Sequence, residues 1–225
     1  HYVRMGNVPH KRHTQFRKPD GSLYSEEVIG AEGFSGISSI AYHVHPPTLV
    51  DKVGEPIPFA PDYVDLDFLR HRHVRSKSVE SSGAWLESRR YMMGNSDVRL
   101  AVATPTEEMN YFYRNAVADE MIYVHDGEGV LESPFGNVHF RKGDYVHVPR
   151  TITHKWRFTS EHSRLLVIES FSEIHYPKRY LNSSGQLLEH SPFCERDIRP
   201  PTDLVTHDEK GDFEVRIAKH GYLHP

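Results

Sequence analysis

Histidine is the residue in excess, at 17 of 225 positions, and imidazole is the side chain best suited to bind transition metals or move protons near neutral pH. The same residue also serves on solvated faces, and His1 fits a remnant of a purification tag. Cys194 is the single cysteine, so the chain can form neither an internal disulfide nor a thiolate metal cluster. A lone Cys in a charged, Pro-rich stretch reads as a bystander, and the reduced thiol fits a reducing compartment. No Ser-His-Asp or Cys-His order stands out, and no glycine-rich loop suited to phosphate is present. Two basic runs occur, Arg4, Lys11, Arg12, Arg17 and Lys18, then Arg70, Arg72, Arg75 and Lys77. They suit a solvated or intersubunit face, with a pocket for an anionic substrate or a neighbouring acidic tail as the sharper alternative. Across the chain 27 basic residues face 31 acidic ones, a formal charge of -4. That balance offers no field to hold a polyanion, and nucleic acid is not an expected partner.

Any such groups must be positioned by strands. Between residues 91 and 171 short alternating runs follow one another: Val98 to Ala103, Met121 to Val124, Gly129 to Ser133, Val138 to Arg141, Tyr145 to Val148, Lys155 to Phe158 and Leu165 to Ser170. Turn signals separate them at Asp126-Gly127, Pro134-Phe135-Gly136-Asn137 and Lys142-Gly143-Asp144. Close spacing without helical periods predicts an all-β antiparallel barrel or sandwich. Residues 1–90 read as an irregular arm lying on its outside, with turns at Pro19-Asp20-Gly21 and Pro46-Pro47, a strand-like run from Ile40 to Val44, and one short helix candidate from Asp62 to Arg70. Residues 172–225 are Pro-rich and acidic, and they start a further strand-like run at Phe213 to Ile217. That run is expected to leave the barrel and present Phe213, Val215 and Ile217 to a surface the chain does not supply. The longest aliphatic run, Leu165 to Ile168, is far below the ~20 apolar residues of a bilayer span. With no signal-peptide pattern at the N-terminus, the expected location is the cytoplasm, with no membrane partner.

Two spaced motifs lie inside the strand-rich block. The first is Glu120, Tyr123-Val124, Gly127 and Gly129; the second is Gly143-Asp144, Pro149 and His154. Together they resemble the paired motifs of a cupin jelly-roll barrel. In metal-binding cupins the first motif supplies a His-x-His pair and a Glu, and the second supplies a His. Here the His-x-His region reads Tyr113-Arg114-Asn115, so only Glu120 and His154 remain of that set. Two ligands fall short of the two-His, one-carboxylate triad of a non-haem Fe(II) site. The resemblance therefore implies no metal in this chain and no catalytic residue. It leaves a vestigial pocket lined by Tyr113, Asn115, Glu120 and His154. Glu120 is expected to bond His154 or Arg114 as a satisfied interior cluster. His125, His139 and His147 lie nearby in sequence with their orientation open.

The arm extends the likeness. Val8 to Arg17, Glu32-Gly33-Phe34-Ser35-Gly36, Tyr42 to Thr48 and Ala218 to Tyr222 are similar to the N-terminal half of homogentisate 1,2-dioxygenases. That family joins two cupins and uses Fe(II) and dioxygen to open the ring of homogentisate, giving maleylacetoacetate in tyrosine breakdown. By resemblance the iron lies in a second cupin that follows this segment, and the present half is a scaffold. Its partners would be that second half, other subunits of a trimer or hexamer, and a small aromatic substrate. The alternative is a single-barrel cupin that binds a small molecule or metal without ring cleavage, because one fold hosts all these roles.

Overall fold

The computed structural model describes residues 15–47, 49–64, 68 and 70–225. An arm hairpin, β1 (Ser25–Glu32) and β2 (Ser35–His43), and a two-residue strand, β3 (Ile57–Pro58), come first. The barrel follows with β4 (Arg90–Gly94), β5 (Val98–Ala103), β6 (Phe112–Asn115), β7 (Asp119–Asp126), β8 (Glu128–Ser133), β9 (Gly136–Arg141), β10 (Tyr145–Val148), β11 (Lys155–Phe158) and β12 (Arg164–Ser170). Two strands from the C-terminal segment, β13 (Val215–Lys219) and β14 (Tyr222–His224), complete it. Helix among the described residues is limited to three single 3-10 turns, and no helix is long and apolar enough to cross a membrane. The helix expected from Asp62 to Arg70 lies partly outside the described residues, and Asp62 to Val64 are irregular.

One sheet runs β10-β7-β12-β5-β4, all antiparallel. Facing residues come from β11-β8-β9 and β3-β14-β13-β6, and a bridge between Tyr113 and His154 ties these two sheets together. The strand period of two sends Ile122 and Val124 of β7, Leu165 and Val167 of β12, and Trp156 of β11 into one buried core. Two glycines make the close approaches. Gly127 turns β7 into β8 at φ 102°, and a Cβ there would meet the Ser163 hydroxyl. A Cβ on Gly129 would lie 2.1 Å from the Arg157 carbonyl oxygen, so only glycine lets β8 and β11 pair.

Two features differ from the sequence expectation. The C-terminal segment does not leave the barrel at its end: β13 pairs in parallel with β6, Val215 opposite Phe112. The edge of β6 had unpaired backbone groups, and the Phe112 and Ala116 N–H groups now donate to the carbonyls of Glu214 and Ala218. Val215 and Ile217 are half-buried by that pairing, while Phe213 stays 60% exposed. The arm also does not stay wholly outside. Ala84, Trp85, Leu86, Ser88 and Arg89 are buried, and Trp85 packs on Trp156 with ring centroids 4.8 Å apart. The segment Gly83–Arg89 is a plug in the barrel.

Candidate functional site

The four expected pocket residues all point into the barrel. Tyr113 and Asn115 occupy alternate, inward positions of β6, and Glu120 begins the inward series that continues through Ile122 and Val124. His154 faces Tyr113 across the bridge, each N–H donating to the other's carbonyl at 2.9 Å. Three of the four are joined directly. The Tyr113 hydroxyl and the Asn115 Nδ2 each donate to Glu120 Oε1 at 3.0 Å. Asn115 Oδ1 accepts from the Val117 and Ala118 N–H groups, and this fixes the amide's orientation.

His154 stands apart. Its Nδ1 donates to the Ile152 carbonyl at 2.9 Å, because a carbonyl can only accept. Its Nε2 is buried and finds no partner among the described residues. Burial pushes the His154 pKa below its ordinary value against the pull of Glu120, so the ring is neutral near pH 7.

The partner that Glu120 actually takes is Arg89, in place of the expected His154 or Arg114. The guanidinium donates from NH1 to Oε1 and from NH2 to Oε2, both at 2.9 Å, and from NH1 to Glu169 Oε1 at 2.8 Å. The side chains of Arg89, Glu120 and Glu169 are only 1–3% exposed. Arg114 instead donates to Thr153 Oγ1 at 2.8 Å and lies 4.0 Å from Glu27. Tyr91 completes the cluster, its hydroxyl donating to Glu169 Oε1 at 2.8 Å. Burial alone would raise the Glu120 pKa, but the adjacent guanidinium overcomes it and holds the carboxyl below its usual range. For Glu169 burial wins over Arg89, with Glu120's charge adding to it, and the pKa is raised. Glu120 is thus the firmly ionised member of the pair.

Sequence reasoning missed Arg89, Glu169 and Tyr91. Glu169 had a signal, since it extends the inward series Leu165, Val167 along β12. Arg89 had none, because the plug lacks any period. His125 and His139 face outward and are exposed. His147 lies on the outward face of β10, 3.6 Å from Asp119. The cleft that reaches Glu169 and Asn115 from outside, past Arg99, Phe171 and Tyr222, measures about 20 Å³, room for about one water molecule.

Residues 101–169 match the family model described as Cupin domain. The barrel has the cupin jelly-roll fold. Along the whole chain, a provisionally named dioxygenase of Saccharolobus solfataricus is 38% identical over 218 residues, covering 96% of this chain and 56% of that protein. The chain therefore spans about half the length of that relative. Among solved structures, a cupin-2 domain protein from Shewanella frigidimarina covers 39% of this chain and 81% of its own at 21% identity, TM-score 0.34. A cupin protein from Bacteroides fragilis covers 51% and 94% at 10% identity, TM-score 0.36.

By the motif resemblance Glu120 and His154 are what remains of a cupin metal-ligand set, but the donor set here does not fit iron. Both Glu120 oxygens are engaged by a guanidinium, and a permanent cation already stands where a second would have to enter. Tyr113 is a neutral phenol, its pKa raised well above normal by burial, and Asn115 is an amide with both ends used. Neither substitutes for imidazole on Fe(II). No group of three or more His, Cys, Asp or Glu among the described residues is arranged to hold a metal.

Proposed function

We propose that this chain is the N-terminal part of an Fe(II)-dependent, aromatic-ring-cleaving dioxygenase of the homogentisate 1,2-dioxygenase type. In this reading both atoms of dioxygen enter homogentisate to give maleylacetoacetate, and the iron is held by a second cupin beyond this chain. The first barrel is a scaffold that braces the second half and contributes to subunit contacts in a trimer or hexamer, in the cytoplasm. The observation that carries this reading is the likeness along 96% of the chain to a dioxygenase-named protein of nearly twice the length. The plugged, guanidinium-filled interior supports the scaffold role, because a filled barrel has no room for substrate and oxygen.

A second reading, small-molecule binding without ring cleavage, draws on a cleft of about 260 Å³ between the arm hairpin and the barrel. Its walls include Glu27, Phe34, Arg114 and Thr151. Oxygen uptake with homogentisate, after anaerobic loading with Fe(II), separates the two. The longer protein is expected to turn over, and the isolated 225 residues to bind no stoichiometric iron and consume no oxygen. Turnover by the isolated chain that is lost in Glu120→Ala or His154→Ala would overturn the scaffold reading. Failure of the longer protein to act on homogentisate would overturn the substrate.

A further inference from the structure

Glu120 and Glu169 stand directly opposite each other on β7 and β12, both inward and both buried. Like charges in that register repel, and burial removes the water that would screen them. A barrel that keeps both carboxylates therefore needs a cation between them. Arg89 supplies it in a specific form. Its edge meets three carboxylate contacts through a planar fork, and its carbon lies over the rings of Trp85 and Tyr113, 4.6 and 5.3 Å from their centroids. Carboxylates at the edge and aromatic rings on the face are what distinguish a guanidinium site from a site for a small, strongly hydrated cation.

We propose that this cupin barrel retains a cation site, that the site is selective for a planar guanidinium, and that its resident ligand is the chain's own Arg89. The plug then acts as a tethered ligand: Trp85 anchors it on Trp156, and the guanidinium enters the position between the two strands. This assignment stands apart from the ring-cleavage reading, since it concerns what the first barrel recognises, whatever the second half does.

Arg89→Ala empties the site without removing its walls. Guanidinium or methylguanidinium chloride at millimolar concentration should raise the melting temperature of Arg89→Ala by several degrees, where sodium and ammonium chloride at equal ionic strength do not. The rise should be absent in the parent protein, whose site is filled, and in Arg89→Ala/Glu120→Gln, which lacks the fork's partner. Equal response to all salts, no response, or rescue by Mn(II) in place of guanidinium would each overturn the assignment. Should Arg89→Ala not fold, soluble yield gives the answer. Arg89→Met/Glu120→Gln should then be recovered in greater yield than Arg89→Met, because removing cation and carboxylate together leaves fewer buried charges unpaired. A double variant no more soluble than the single one would refute the site.

Discussion

Thr151 holds φ at 69°, a left-handed conformation that is uncommon for any L-residue and strained for a β-branched one. Its N–H donates to the Asn115 carbonyl at 2.7 Å, so the strained turn fastens the His154 loop to β6. Thr151→Gly should raise stability by about 1 kcal/mol, the relief of strain exceeding glycine's extra entropy. Chemical denaturation measures it, and a loss would mean that the side chain contributes more than the strain removes. Histidine sets a second expectation. Burial lowers the folded pKa of both His154 and His147 below the ordinary 6.5. From about pH 6.5 downward the unfolded chain takes up protons that the folded chain refuses, so stability falls on acidification until the lower folded values are passed. Glu169, raised, opposes this above its ordinary 4.5; Glu120, lowered, adds to it below 4.5. Urea midpoints compared at about pH 7.5 and 5.5 should drop in the parent protein and drop less in His154→Gln. Glu120 and His154 were legible in the sequence because motif spacing marks them. The partner of Glu120, Arg89, was not, because a salt bridge between residues 89 and 120 leaves no pattern in either segment.

The strands were legible for a physical reason. Most runs between Val98 and Ser170 alternate inward and outward, Val98–Ala103 being an exception with Ala101, Val102 and Ala103 buried in succession, and glycines with positive φ at 127, 136 and 143 punctuate them; the structure extends four of the runs at one or both ends, moves none, and adds β6 at Phe112–Asn115. The plug was hidden because its burial has no period: Ala84, Trp85 and Leu86 are buried consecutively. Trp85→Ala should cost about 3–5 kcal/mol, the loss of a fully buried indole and the cavity it leaves, read as a shifted denaturation midpoint. The plug is also coupled to β13. Arg216 of that strand donates to Glu87 and lies 3.8 Å from the Tyr111 ring centroid, and the Tyr111 hydroxyl donates to Glu87 at 2.8 Å. The ion pair is partly exposed, so Arg216→Met should cost no more than about 1 kcal/mol globally. Its effect should be local: faster amide hydrogen exchange in both β13 and Gly83–Arg89, elements more than a hundred residues apart in sequence. Faster exchange in β13 alone would show that the two move independently.

At the scale of the molecule, the barrel buries its interior and the arm hairpin does not. Among the described residues β1 and β2 pair only with each other, Val28 and Ile40 are half exposed, and Phe34 at the turn is 98% exposed. Its ties to the barrel among the described residues include Ile29, which packs on the core, and Glu27, which lies 4.0 Å from Arg114 while also bonding His43. A two-stranded hairpin is marginal in water on its own, and apolar side chains left together on such a surface call for a covering partner. The chain spans 56% of the length of its dioxygenase-named relative, so the proposed second cupin or a neighbouring subunit is the candidate cover. Amide exchange in Ser25–His43 should therefore be fast in the isolated 225 residues while β7 and β12 exchange slowly. In the longer protein the hairpin should slow by at least about tenfold, the equivalent of 1.4 kcal/mol of added local stability. Equal exchange in both forms would mean that the hairpin meets neither the second cupin nor a neighbouring subunit, and would remove the arm from the scaffold's contacts.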